Sequence, residues 1–115
     1  MHISERTAND IVILDLDGKL TIGDGAELLR TKVASIVFQG NNKIILNLAR
    51  VPYVDSGGLG ELVRCSMAAQ KANGAVKMIG LTSRITDLLT ITKLANVFDT
   101  FDTEQEAIGS FAATA

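Results

Sequence analysis

The amino-acid sequence predicts an α/β fold, with a mixed, mostly parallel sheet of about five strands and about four helices mainly on one face. Segments with strand character alternate with segments whose apolar residues recur at helical spacing, in the order β-β-α-β-α-β-α-β-α. A short turn between the first two strand segments predicts an N-terminal antiparallel edge strand. In the second and third strands one face is wholly apolar and the other is mixed. This pattern favours helices on a single face and sequential strands side by side.

Local signals define the elements of the first half. Alternation over 3–7 indicates a short edge strand, and a turn leads into a second strand at 11–16. Asp24 has Glu27 three positions later, which is the spacing of a capping box and predicts the start of the first helix. The helix is expected to end at 40–42, and its apolar stripe consists of Leu29, Val33, Ile36 and Val37.

Similar signals define the second half. Three further strands are expected, at 43–48, 76–81 and 97–98. Gly74 is a natural C-terminal stop for the helix that precedes the second of them. The helix starts are expected at residues that commonly cap helices, namely Ser56, Ser83 and Thr103, with Glu106 completing a capping box at the last.

Composition narrows the class of protein. With 115 residues, 47% of them hydrophobic, the chain is expected to form one domain over 1–115. The net charge is −2 and the basic residues are scattered, so the basic stripe and aromatic platforms of nucleic-acid binding are missing. No signal-peptide pattern or membrane-span pattern is present, and a soluble, cytoplasmic protein is expected. The single cysteine, Cys65, lies in an apolar helical pattern and is expected to be buried.

The most informative segment is Val-Asp-Ser-Gly-Gly-Leu-Gly at 54–60, which follows a buried strand and opens a helix. Ser56 falls near the N-cap. There it can be a simple helix cap, or it can carry a modification or meet an anion, because the helix dipole favours negative charge. Gly57, Gly58 and Gly60 oppose helix stability. We expect them to leave a bare backbone that a ligand or another protein approaches closely.

A competing motif runs from Asp15 to Gly18, with sequence Asp-Leu-Asp-Gly. It resembles the nucleophile signature of haloacid dehalogenase-like phosphotransferases, in which the first aspartate attacks phosphorus. Lys19 and Leu20 depart from that family's pattern, and the chain is short for its sheet and cap. In the structural alternative Asp15 lies on the mixed strand face and the next residues form a turn. The phosphatase alternative would add Thr82, the cation Lys93, and Asp99 and Asp102 as metal ligands.

Other catalytic constellations are missing from the sequence. The single histidine, His2, is a poor candidate for a general base, and neither a phosphate-binding loop nor paired metal-ligand spacing is present. A serine without a nearby base is not an activated nucleophile, although it can be the substrate of a kinase. We therefore expect no enzyme activity, no metal and no cofactor.

Several segments carry a resemblance that covers nearly the whole chain. The central one is Asp-Ser-Gly-Gly-Leu-Gly at 55–60, and the others are 18–21, 44–48 with Val51 and Val54, Gly74, 88–94, Phe98 and 104–107. With these segments the chain resembles the STAS domain family, and within it the stand-alone anti-sigma factor antagonists of bacteria. The resemblance implies a singly wound β-α superhelix.

The resemblance also implies a partner-switching cycle. An unphosphorylated antagonist binds an anti-sigma factor that is also a serine kinase, and this binding frees the sigma factor. The kinase then phosphorylates the serine of the antagonist, the complex dissociates, and a separate serine phosphatase resets the antagonist. Ser56 stands at the phosphoacceptor position of this sequence.

The partner-binding surface implied by the resemblance comprises Thr21, Asp55, Ser56, Gly57, Gly58 and Leu59. Gly57 stands where a second serine or threonine is common, which leaves Ser56 as the hydroxyl of the motif. Thr21 stands where many members carry aspartate. An alternative within the same family is a non-switching STAS subunit of a signalling assembly or a transport complex, in which Ser56 only caps its helix.

Overall fold

The computed structural model describes residues 1–112 and contains, within them, five strands and four helices. In chain order these are β1 (His2–Ala8), β2 (Ile11–Asp17), α1 (Ala26–Phe38), β3 (Lys43–Arg50), α2 (Ser56–Lys71), β4 (Ala75–Ile79), α3 (Ser83–Ile91), β5 (Asp99–Phe101) and α4 (Glu104–Ala112). The predicted alternation of strands and helices is confirmed.

The strands form one sheet in the order β1-β2-β3-β4-β5. β1 is antiparallel to β2, and the register of this hairpin pairs Ala8 with Ile11. Asn9 makes the tight turn with a φ of 58°, a left-handed conformation that asparagine tolerates well. β2, β3, β4 and β5 run parallel to one another. Each crossover therefore advances the chain by one strand in the same direction. This is the side-by-side order that the strand patterns predict and the singly wound arrangement that the resemblance implies.

The two faces of the sheet are covered unequally. The apolar face of the central strands packs against α1, α2 and α3 in a core that includes Val12, Leu14, Leu46, Met78, Leu29, Leu62 and Ile85. Among the helices of residues 1–112, only α4 packs on the mixed face, where Ala107 and Phe111 meet Ile11, Ile13, Ile45 and Ile79. The prediction of helices mainly on one face is confirmed. Within residues 1–112 no helix is both long enough and apolar enough to cross a membrane.

The start of α1 differs from the prediction. Its N-cap residue is Gly25, with a φ of 94°, and no side chain caps the helix there. Asp24 instead exchanges backbone hydrogen bonds with Thr21 at 2.7 and 3.1 Å. Its carboxylate accepts a hydrogen bond from the α-ammonium of Met1 at 2.9 Å. The capping-box spacing at Asp24 and Glu27 was therefore misleading, because the residue is held in a tight turn.

The start of α3 is displaced by one residue, whereas the start of α4 is as expected. Thr82, and not Ser83, caps α3, and its Oγ1 accepts a hydrogen bond from the N–H of Ile85 at 3.3 Å. At α4 the Oγ1 of Thr103 accepts a hydrogen bond from the N–H of Glu106 at 3.1 Å and donates to its carboxylate at 3.0 Å. The predicted pairing of Thr103 with Glu106 is confirmed.

The last strand lies at Asp99–Phe101, so the prediction of a strand at 97–98 is wrong. The N–H of Val97 donates to Leu94 in a turn, and the Phe98 side chain is buried in the larger core. The adjacent apolar residues Val97 and Phe98 therefore reflect the burial of one side chain, that of Phe98, and not the alternation of a strand. The fourth strand also ends earlier than predicted, at Ile79.

α2 ends at Lys71, two to three residues before the boundary at about 73–74 that the sequence predicts. Asn73 takes the left-handed conformation, with a φ of 64°, and the N–H of Gly74 donates to the carbonyl of Ala69 at 2.8 Å. A side chain on Gly74 would overlap the carbonyl oxygen of Asn42. Asn73 therefore ends the helix in place of the predicted Gly74, whose N–H completes the cap and whose missing side chain permits close packing against the chain that enters β3.

Candidate functional site

The site forms where two neighbouring parallel strands end at the same edge of the sheet. After β2 and β3 the two loops run side by side, and Leu20 pairs with Val54 in an isolated parallel bridge. The N–H of Leu20 donates to the carbonyl of Tyr53 at 2.9 Å, and the N–H of Asp55 donates to the carbonyl of Leu20 at 3.3 Å. Segment 20–22 is therefore fixed against the beginning of α2.

Asp55 is the N-cap of α2, with an extended backbone. Its Oδ1 accepts a hydrogen bond from the N–H of Gly58 at 2.7 Å, and its Oδ2 accepts one from the N–H of Ile22 at 3.2 Å. The expectation that Ser56 caps the helix is corrected, because the carboxylate of Asp55 takes that role. Ser56 is the first residue of α2 and is exposed, and its hydroxyl makes no hydrogen bond within residues 1–112.

Two of the three glycines after Ser56 are required by the chain's own packing. A Cβ on Gly57 would lie 2.6 Å from the Cβ of Ile22, and one on Gly58 would overlap the carbonyl oxygen of Leu20. Gly60 differs, since its nearest neighbour would be Nη1 of Arg64 at 3.9 Å. The sequence-based expectation of a bare backbone therefore holds at Gly60 alone, whereas segment 20–22 covers the other two.

The structure brings the predicted site residues together but at different depths. Gly58 and Leu59 are buried, and the Leu59 side chain is part of the larger core. Asp55, Gly57 and Thr21 are half-buried around Ser56. The backbone of Thr21 forms the turn with Asp24 and also accepts a hydrogen bond from the N–H of Ala26 at 3.2 Å. Gly58 and Leu59 thus support the surface from below.

Sequence reasoning missed an apolar residue beside Ser56. Ile22 follows β2 in the loop that packs on Gly57, and its side chain is 79% exposed. Tyr53, in the loop before α2, is 43% exposed. The signal available in the sequence was an isolated apolar residue, Ile22, in a polar loop. Its position became clear only from the contact with Gly57.

Sequence reasoning also missed an ion-pair cluster that lies between α1 and α2. The Glu61 side chain is 1% exposed, and its carboxylate accepts hydrogen bonds from Nε of Arg30 and Nη1 of Arg64, each at 3.1 Å. We call the adjacent surface depression the Ser56 groove; it has a volume of about 340 Å³ and is lined by Ile22, Ala26, Glu27, Arg30, Ser56, Gly57, Gly60 and Arg64. The spacing of Glu61 and Arg64 on one helix was the available signal.

Asp15, the nucleophile of the phosphatase alternative, is engaged in an ion pair. Its Oδ2 accepts a hydrogen bond from Nε of Arg6 at 2.6 Å, and its Oδ1 accepts one from Nδ2 of Asn47 at 2.8 Å. The Arg6 guanidinium lowers the pKa of Asp15 below its ordinary value. Arg6 also pairs with Glu104, so it links β1 and β2 to the start of α4. The structural reading of Asp15 on the mixed strand face is confirmed.

Several residues that the phosphatase alternative requires have other structural roles. Asp17 lies 3.6 Å from Arg50, and Thr82 is used as the cap of α3. Lys93 adopts a left-handed backbone in the turn after α3. Across residues 1–112 there is no group of three histidine, cysteine, aspartate or glutamate side chains placed to hold a metal, and Asp99 and Asp102 therefore form no such group.

Comparisons with known proteins agree with this fold. Residues 2–107 match the sequence model of the STAS domain. The chain is 32% identical to the anti-sigma-B factor antagonist of Bacillus subtilis over 95 residues, which are 83% of this chain and 84% of that protein. It is 27% identical over 103 residues to a candidate anti-sigma factor antagonist of Thermotoga neapolitana, covering 90% of this chain and 91% of the other.

A solved structure shows the same architecture. The crystal structure of a candidate anti-sigma factor antagonist from Thermotoga maritima superposes with a TM-score of 0.89 at 26% identity, covering 96% of this chain and 94% of that one. The match of the sequence model extends over the sheet, the signature segment at 55–60 and the start of α4. The chain belongs to the STAS domain family.

Proposed function

We propose that this protein is an anti-sigma factor antagonist that works by phosphorylation-controlled partner switching. In its unphosphorylated form it binds an anti-sigma factor that is also a serine kinase, and this binding releases a sigma factor. Phosphorylation of Ser56 ends the binding, and a separate serine phosphatase restores it. The cycle takes place in the cytoplasm, and the protein itself is a binding partner and not an enzyme.

One observation carries the proposal: Ser56 is exposed at the first position of α2 while Asp55 caps that helix. A serine that capped the helix would lose about 1 kcal/mol of helix stability if its hydroxyl were modified. Here the hydroxyl is not used by the fold within the described chain. It is therefore available to a kinase at no structural cost, and Gly57 offers no competing hydroxyl beside it.

A phosphate at Ser56 is compatible with the fold of the free protein. The first backbone N–H groups of a helix and the helix dipole favour an anion at this position. The same phosphate brings about −1.5 to −2 charge at pH 7 into any interface that covers Ser56. The Asp55 carboxylate adjoins it, so a docked partner would meet two negative groups together. Tolerance in the free state and repulsion in the complex are the two properties that a switch requires.

The proposed docking surface centres on Ser56 and includes Asp55, Gly57 and Thr21. Ile22 adds an exposed apolar side chain at its rim, and apolar contacts are the usual source of binding energy at protein interfaces. Gly58 and Leu59 contribute indirectly, since they hold α2 against segment 20–22. The similarity to the Bacillus subtilis anti-sigma-B factor antagonist supports an anti-sigma factor as the partner.

The phosphoacceptor is tested by incubating the chain with the anti-sigma factor kinases of its own genome and ATP, then mapping the phosphate by mass spectrometry. We expect modification of Ser56 alone and none in Ser56→Ala. Ser83 is the internal control, because it is also the exposed first residue of a helix that the preceding residue caps. Phosphate on Ser83, or on Ser56→Ala at the wild-type rate, would refute the assignment.

A further inference from the structure

The Ser56 groove continues from the serine along α2 toward two arginines. Ser56, Gly60 and Arg64 are spaced four residues apart and therefore lie on one face of the helix. Helical side chains lean toward the N-terminus, so Arg64 extends back toward Ser56. The contact at Gly60 agrees with this direction, because a Cβ there would lie 3.9 Å from Nη1 of Arg64. The guanidinium thus lies beside Gly60, about one turn from Ser56.

Glu61 holds both guanidinium groups beside this groove. The buried carboxylate engages Nε of Arg30 and Nη1 of Arg64. A guanidinium has five N–H donors on three nitrogens, so each arginine retains donors for a second anion. Arg30 and Arg64 both line the groove, with side chains that are 56% and 65% exposed. The cluster therefore presents oriented donors toward the space beside Ser56.

We propose that Arg64 and Arg30 form a binding site for the phosphate of phosphorylated Ser56 in the same chain, so that the phosphate folds back along α2 over Gly60. This inference rests on the proposed function for the presence of the phosphate. Arginine binds phosphate through parallel N–H donors, and a phosphoserine opposite an arginine cluster gains one to three charge-assisted hydrogen bonds. Gly60 leaves this path open, because a large side chain at that position would lie between the two groups.

Other charges around the groove set the expected strength of this site. Glu27 lines the groove and opposes a second anion, as does the Glu61 carboxylate that pairs with Arg30 and Arg64. The Asp55 carboxylate is held by two backbone N–H groups at the start of the helix. We therefore expect a moderate attraction that depends on the guanidinium forks, and Glu27→Gln should strengthen it.

The test uses a chain into which phosphoserine is inserted at position 56 during translation, so that no kinase is involved. The titration midpoint of the phosphate is measured by ³¹P NMR, because hydrogen bonds to the dianion lower that midpoint. We expect the midpoint to rise by about half a pH unit in Arg64→Gln and by a smaller amount in Arg30→Gln. Lys71→Gln is the matched control, since it removes one positive charge from the far end of the same helix, about 22 Å away.

Two further variants separate a guanidinium clamp from a general charge effect. Arg64→Lys keeps the positive charge but loses the parallel N–H donors of the guanidinium group. Its phosphate midpoint should therefore lie closer to that of Arg64→Gln than to that of wild type. Gly60→Leu keeps both arginines and fills the space between them and Ser56, so it should raise the midpoint as Arg64→Gln does. The Arg64 Nε–H signal in a ¹H–¹⁵N spectrum should move on phosphorylation of the wild-type chain and not in Gly60→Leu.

Two results would overturn this proposal. A phosphate midpoint that is the same in wild type, Arg64→Gln and Gly60→Leu would show that the phosphate projects into solvent. If Lys71→Gln raised the phosphate midpoint as much as Arg64→Gln does, the change would be explained by net charge alone. Because the phosphate is inserted without a kinase, these results stand whether or not a kinase modifies Ser56. Failure of this site would leave the proposed switch intact.

Discussion

The carboxylate of Asp55 accepts a hydrogen bond from the backbone N–H of Ile22, 33 positions earlier in the chain, at 3.2 Å. Its other oxygen accepts from the N–H of Gly58 and caps α2. One side chain therefore joins the loop after β2 to the helix that begins at Ser56. Because Asp55 caps α2, the Ser56 hydroxyl is left exposed. Asp55 is therefore a structural residue as well as part of the proposed docking surface.

The role of Asp55 predicts a loss of stability on its removal. Asp55→Ala should lower the free energy of unfolding by about 1–2 kcal/mol, because the helix cap and the contact to segment 20–22 are both lost. Asp55→Asn should lose less, since the amide oxygen can still cap the helix. Urea unfolding measures both, with Thr82→Ala at the cap of α3 for comparison. A wild-type stability for Asp55→Ala would contradict the assigned contacts.

The glycines of the signature are predicted to respond with opposite signs. Gly58→Ala should destabilise the fold by about 1–3 kcal/mol, because its methyl group would overlap the Leu20 carbonyl. Gly57→Ala should cost less, since the neighbouring atoms belong mainly to the Ile22 side chain. Gly60→Ala should stabilise the protein by about 0.5–1 kcal/mol, as expected for an open helical position.

Gly109 is the control for this series, because it lies in α4 and no atom of residues 1–112 lies within 4 Å of the position of an added Cβ. Gly109→Ala should gain stability as Gly60→Ala does. Thermal melting of the four variants under one set of conditions is sufficient. Equal losses at Gly57, Gly58 and Gly60 would show that segment 20–22 does not pack against α2 as described.

The ion pair of Arg6 and Asp15 predicts a stability change in acid. Since Arg6 lowers the pKa of Asp15 in the folded protein, the pair stabilises the fold above the ordinary carboxyl pKa. That contribution is lost as the pH falls through the lowered folded value. Asp15→Asn should therefore be less stable than wild type at neutral pH, and the difference should shrink below about pH 4.

This prediction is checked by urea unfolding at a series of pH values. Asp87→Asn, at an exposed position on α3, supplies the same change of charge as a control. A difference between wild type and Asp15→Asn that stays constant into acid would exclude a stabilising ionised Asp15. Magnesium-dependent phosphatase activity that Asp15→Asn abolishes would restore the competing hypothesis.

The Cys65 thiol should not react with thiol reagents in the folded protein. Burial, with the nearby Glu61 carboxylate as a second cause, raises the pKa of its thiol to about 12. At pH 8 the thiolate population is then very small, and a disulfide reagent should label the protein only after unfolding. Rapid, complete labelling in native buffer would show that the α1–α2 interface opens readily.

The order of helices and strands could be predicted from the sequence, because the burial of one face sets the spacing of apolar residues along each element. The mixed face of β2 also predicted the unequal covering of the sheet, and of the four helices in the described part of the chain only α4 lies on that side. Element ends were less predictable. Asp24 carries a capping-box pattern, yet its turn with Thr21 moves the start of α1 by one residue. Phe98 reads as part of a strand, although it is a single core anchor beside β5.

The site was predictable in position but not in internal organisation. Asp55 and Ser56 are both good N-cap residues, and the choice between them depends on a hydrogen bond to Ile22, which is distant in sequence. The constraint on Gly58 likewise comes from the Leu20 carbonyl. Glu61 reads as a surface residue, and only the packing of α1 on α2 shows it buried between arginines.

The most direct test of the central claim is the affinity of the cognate anti-sigma factor kinase for three forms of the chain, measured by calorimetry without ATP. The account predicts tight binding of wild type and Ser56→Ala, and binding weaker by about tenfold or more, or 1.4 kcal/mol, for the chain with phosphoserine at 56. Ser35→Asp, exposed in the last turn of α1, should bind as wild type does. Equal affinity of the phosphorylated and unphosphorylated chains would contradict the switch.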